Sequence, residues 1–175
     1  GNLLRSQALS NVGDVHNAPS NLSGNGVTIG IWEHGATVRA THVDLTPRVT
    51  IAALETATTD DHANHVAGTI GASGVNIPDA EGMAPGVSMI SWDSDDATNE
   101  MTTAADPATV PRVQVSNHSY YNSAAGWNPA GNTFSNTQNV FGRYDIPTQS
   151  YDNVVVNTDL IISKIAGNSR QHDWD

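Results

Sequence analysis

Apolar residues along the chain gather into short, nearly continuous runs rich in β-branched side chains, divided by longer polar stretches. Gly26 to Trp32, "GVTIGIW", is the firmest, and its pattern is that of a parallel strand buried on both faces. It ends at Glu33–Gly35, where the C-terminal edge of the sheet would lie and where open α/β sheets gather their ligands. Arg48–Leu54, Gly86–Trp92 and Arg112–Ser119 read as further strands, and Asp159–Arg170 gives one more buried strand closing in a Gly-Asn turn. Between strands the period changes. Val66, Ala67, Ile70 and Gly71 recur at near-helical spacing behind Asp60 and Asp61, whose charges suit a helix N-terminus. A crossover helix is expected at about Asp95 to Ala105, and strands alternating with helices predict an α/β domain with a parallel sheet.

Two regions fall outside this rhythm. Residues 1–25 are polar and end in the turn-like "NLSGNG", as a surface arm would. Tyr120–Tyr151 reads as a loop rich in Asn, Gly and aromatic residues, and so long a loop in a compact domain points to binding.

Charge narrows the partners. Eighteen acidic residues against seven basic ones give a net charge of −11 with a single lysine, Lys164, which argues against nucleic acid as a partner. Asp93, Asp95 and Asp96 supply oxygens of the kind calcium prefers, or else form an ordinary solvated acidic loop. No apolar run is long enough to span a membrane, so no membrane partner is expected. The chain contains no cysteine, which excludes disulfides and thiolate chemistry. Abundant Asn, Ser, Thr and Gly, with Gly1 at the start in place of methionine, suit a processed protein secreted by a bacterium.

His62 and His65 stand three apart in "DHANH", at the start of the helix beginning near Asp61. They could hold a metal, but the zinc-protease helix spaces its histidines four apart and needs a glutamate after the first, which is absent. Alternatively, one is a general base oriented by a carboxylate at a strand end while the other packs inside.

"GVTIGIWEHG", "THVDL", "DHANHVAGTIGA", "GMAPGVSMISW" and "IAGNSR" follow one another in the order of the motifs of subtilisin-like serine proteases, and the chain resembles the N-terminal part of that catalytic domain. The resemblance implies a subtilisin-like, doubly wound, mostly parallel sheet with helices on both faces, incomplete within residues 1–175, so that the last strand, Asp159–Ala166, would be left as an unprotected edge for a partner to cover. It assigns the general base to His62, the oxyanion-hole amide to Asn168 and a packed structural role to His65. The acid of the triad falls on Glu33, where the family has aspartate; its extra methylene requires the strand end or the imidazole to shift. "VSNHSYY" resembles the strand along which a peptide is received, bringing in Ser116, Asn117, Ser119 and Tyr120 as substrate-binding residues. Asp44 and Asn76, with Gln7, stand where many members bind a structural calcium.

The resembled nucleophile motif, Gly-Thr-Ser, is not found; the one Gly-Thr-apolar sequence is Gly68-Thr69-Ile70, already within the histidine helix. The expected function is therefore a serine endopeptidase whose serine comes from a partner chain or segment outside these residues, acting on peptides and proteins. A catalytically inactive relative that keeps the groove as a peptide-binding module is the alternative.

Overall fold

A computed structural model describes residues 3–120, 127–128, 133–134 and 144–166. Seven strands, β1 (Thr28–Glu33), β2 (Val49–Ile51), β3 (Ser88–Asp93), β4 (Val115–His118), β5 (Trp127–Asn128), β6 (Thr133–Phe134) and β7 (Ile161–Lys164), alternate with five helices, α1 (Leu3–Leu9), α2 (Val12–His16), α3 (Asp61–Gly71), α4 (Ala97–Ala104) and α5 (Ile146–Thr158). Five of the strands form a parallel sheet in the order β2-β3-β1-β4-β7, while β5 and β6 make a separate antiparallel pair. The first strand in the sequence thus lies in the middle. The chain builds outward from it on one side with β2 and β3, then crosses to the other with β4 and β7, leaving a topological switch point at the C-terminal end of β1.

Alternation along the strands supplies two cores. Ile31 and Met89 face α3, joining Ala63, Ala67, Val38, Leu45 and Val49 in one buried cluster. Trp32 and Trp92 point the other way, into a cluster with Met101 of α4 and Val154 of α5. Helices therefore cover both faces, as a doubly wound sheet requires. Gly30 lies two positions before Trp32 on the same face, and the indole crosses it so closely that a Cβ at Gly30 would collide with the ring.

One sequence expectation gains detail and two need correction. The polar arm carries α1 and α2, and it is tied to the domain by Gln7, which donates to the carbonyls of Glu81 and Gly82, and by His16, 2.9 Å from the Met83 carbonyl. The final part of the expected loop is α5, whose start is capped by Asp145: its carboxylate accepts from the Thr148 amide at 3.3 Å and the Thr148 hydroxyl at 3.0 Å. Finally, β7 is not a buried strand: as the incomplete resemblance implies, it is an edge of the described sheet, with Ile161 65% exposed. No described helix is long and apolar enough to cross a membrane.

Candidate active site

The end of β1 and the start of α3 are brought together by a short backbone splice. Just after Glu33 the chain reverses through Gly35, whose φ of 62° belongs to the left-handed region that favours glycine. Thr37 then pairs with Thr59 in a parallel bridge, its amide donating to the Thr58 carbonyl and its own carbonyl accepting from the Asp60 amide. Asp60 is left at the N-cap of α3, and its carboxylate accepts from the His62 amide at 2.6 Å. The aspartates before His62 are thus helix-start groups, and the cap fixes where the imidazole leaves the helix.

His62 Nδ1 lies 2.8 Å from Glu33 Oε2. The two partners differ sharply in exposure: the Glu33 side chain is 3% exposed, the His62 ring 60%. The imidazole therefore has one nitrogen held by a buried carboxylate and its other edge turned to solvent, the arrangement of an oriented general base. Glutamate's additional methylene is accommodated, since the contact has ordinary hydrogen-bond length. Glu33 Oε1 has no hydrogen-bond partner. Burial pushes the Glu33 pKa up, and the neighbouring His62 pulls part of that back.

His65 is exposed, contrary to the packed role expected of it. Three residues on from His62 it lies roughly 160° from the centre of the buried stripe Ala63, Ala67 and Gly71, so it faces away from the sheet. With His42 and Asp44 it lines an open groove. Asn168 lies outside the described residues.

The candidate peptide strand divides by parity. Ser116 is fully buried and its hydroxyl lies 3.1 Å from His118 Nε2, which leaves only its backbone for a peptide to meet. Asn117 is half-buried and donates to the Ser119 hydroxyl at 2.9 Å, at the cleft-facing end of β4. Tyr120 lines a cleft of about 450 Å³ together with His34, Asp95, Asp96, Pro147 and Tyr151. Its hydroxyl turns inward, 3.1 Å from His118 Nδ1 and 3.1 Å from the Tyr151 hydroxyl. Burial lifts the Tyr120 pKa far above the usual range, aided by Tyr151, and lowers that of His118 to about 4.

Sequence reasoning missed this internal network, and it also missed an acidic junction on the next helix. Glu100 of α4 accepts from Trp32 Nε1 at 2.9 Å and hydrogen bonds to Glu55, which in turn accepts from the Asp93 amide at 3.2 Å. Burial first, and the neighbouring Glu55 and Asp93, raise the Glu100 pKa to about 7. Alternation places Trp32 and Glu33 on opposite faces, but nothing local in the sequence pairs Glu55 with a helix forty-five residues on.

Two of the expected calcium ligands, Asp44 and Gln7, hydrogen bond to the segment 73–82 that carries Asn76. Asp44 Oδ1 accepts from the Val75 amide at 2.9 Å and the Ser73 hydroxyl at 3.4 Å, Asn76 is exposed, and Gln7 already donates to the loop carbonyls of Glu81 and Gly82. Among the described residues no group of three or more His, Cys, Asp or Glu converges on a metal position.

Known proteins resemble this chain in sequence family and fold. The model of the subtilase family matches residues 24–173. The solved structure of MycP1 from the ESX-1 type VII secretion system superposes with a TM-score of 0.58 at 17% identity, over 95% of this chain and 46% of that one. MycP1 with its N-terminal propeptide removed gives 0.58 at 20% identity, over 96% and 50%, and MycP1 from Mycobacterium smegmatis gives 0.59 at 17%, over 96% and 46%. At such identities the likeness speaks to the fold. The chain spans about half the length of these structures. No curated protein is similar enough to match.

Proposed function

The chain belongs to the subtilase family of serine proteases, and from that premise we propose that it supplies the base and the orienting acid of a serine endopeptidase. The serine nucleophile comes from a segment outside residues 1–175. The observation that carries this reading is the Glu33–His62 pair at the sheet's switch point, a buried carboxylate 2.8 Å from an exposed imidazole.

The chemistry follows from that geometry. Neutral His62 takes the serine proton at Nε2 as the hydroxyl oxygen attacks the peptide carbonyl carbon. Glu33 holds the ring's tautomer through Nδ1 and stabilises the imidazolium that forms. His62 then passes the proton to the leaving amine nitrogen as the C–N bond breaks, and a water molecule repeats the cycle to release the acyl group. The Asn168 amide would donate to the developing oxyanion. The peptide would lie along the segment leaving β4, from Asn117 through Ser119 to Tyr120, with Ser94–Asp96 on the opposite bank. A composition rich in Asn, Ser and Thr and poor in lysine supports work outside the cell.

Treating the full-length protein with a serine-directed phosphonate and weighing each chain intact tests the assignment. Label on a serine outside residues 1–175, lost in His62→Ala, is the expected result. Peptide binding that His62→Ala leaves intact, with no labelling of the wild type, would instead select the peptide-binding module.

A further inference from the structure

One row of side chains crosses the sheet beneath the cleft and ends at Lys164, the sole lysine of the sequence. Register places Trp92, Trp32, His118 and Lys164 side by side on four neighbouring strands. Trp32 stacks on Trp92 with centroids 4.3 Å apart and on His118 at 5.3 Å. Beyond His118, the Lys164 ammonium lies 4.0 Å from the centroid of the Tyr120 ring and 5.5 Å from that of Tyr151. It also donates to the Tyr120 backbone carbonyl at 3.3 Å.

Among the described residues Lys164 has no carboxylate partner, although the chain carries eighteen acidic residues. Desolvation against its neighbours lowers its pKa. Its charge also acts sideways: after burial, Lys164 is the second cause that keeps His118 neutral. A neutral imidazole has one donor and one acceptor nitrogen, which lets it bridge the Ser116 and Tyr120 hydroxyls in a single chain of hydrogen bonds that continues to Tyr151. Tyr120 is consequently held at its hydroxyl by His118 and Tyr151, and at its ring and carbonyl by Lys164.

We infer that Lys164 is a positioning residue, clamping Tyr120 so that the segment leaving β4 presents its backbone to a peptide in a fixed register. The inference rests on the proposed function's reading of that segment as the substrate-pairing edge. Strand addition needs amides and carbonyls in place before the peptide arrives, and a loosened edge weakens binding without changing proton transfer at His62.

The test uses the full-length protein, with Lys164→Met to delete the charge and keep most of the stem, and Lys164→Arg to restore a cation over the rings. Lys164→Gln serves for the same readouts if the methionine variant does not fold. Lys164→Met should raise KM for an extended peptide about tenfold. It should leave kcat and the rate of labelling by a small phosphonate unchanged and shift the His118 NMR titration upward. Lys164→Arg should recover most of the KM. An unchanged KM, a fall in kcat and labelling at constant KM, or no recovery with arginine would overturn the clamp. Wild-type protein that neither turns over nor takes the label overturns the peptidase reading instead. Peptide Kd then replaces KM, and an unchanged Kd in Lys164→Met overturns the clamp by itself.

Discussion

The two oxygens of Glu33 live in different surroundings. Oε2 faces His62, while Oε1 is buried with no partner. A desolvated carboxylate with an unanswered oxygen holds its proton more tightly folded than unfolded, which is why its pKa is raised. Stability contributed by that proton is full below the ordinary glutamate value and is lost as pH rises through the raised one. Glu33→Gln carries no such proton. A thermal-unfolding series from about pH 4 to 8 should therefore show a flatter profile for the variant than for the wild type. The same variant should lower kcat by about a thousandfold or more, because the imidazolium loses its counter-charge. Both residues of this pair could be read from the sequence, since each sits in a motif at an element boundary. The exposure of His65 could not be read from the motif, although the helical period alone places it opposite the Ala63–Ala67–Gly71 stripe.

On the scale of elements, α3 is aimed by its cap and α4 by its acid. Asp60→Ala removes the acceptor for the His62 amide and should lower stability by about 1 kcal/mol in chemical denaturation. It should also slow phosphonate labelling, because the imidazole leaves the helix from that first turn. Glu100, with its pKa raised to about 7, ties α4 to Trp32 and Glu55. Its proton stabilises the fold fully below the ordinary glutamate value and progressively less as pH rises through about 7. The melting temperature should accordingly fall less between pH 5 and 7 or so in Glu100→Gln than in the wild type. Strands β1 to β4 were legible because continuous apolar runs have few other homes in an α/β domain. Helix α5 was not, though Asp145, Pro147 and Thr148 form an N-terminal signal, because the loop composition before it masks a weak stripe of which only Val154 and Thr158 are buried. The open side of β7 could be read only from the incompleteness of the resembled fold, since a run such as "LII" looks the same at a covered strand and at an edge.

Across the whole molecule the sheet is lopsided. β1, β3 and β4 each lie between two strands, whereas among the described residues β7 pairs only with β4 and carries the exposed Ile161. Residues 1–175 expressed alone should self-associate through this edge. Ile161→Lys should reduce the associated fraction in sedimentation velocity, since an edge lysine opposes strand-to-strand pairing. The sheet's interior is held differently. Arg112 joins the far ends of two helices by donating to the carbonyls of Ala105 and Thr158, and Gly30 keeps the space into which Trp32 folds. That packing leaves the Trp32 and Trp92 indoles stacked with an interplanar angle of 3°, on strands whose register alone sets the contact. Two chromophores so placed couple their excited states, and replacing Trp92 by phenylalanine should change the near-ultraviolet spectrum by more than the loss of one isolated indole. A slip of β3 against β1 by one residue would turn one indole to the opposite face and remove that coupling while leaving strand content unchanged. The molecule thus carries its own optical gauge of strand alignment beneath the catalytic edge.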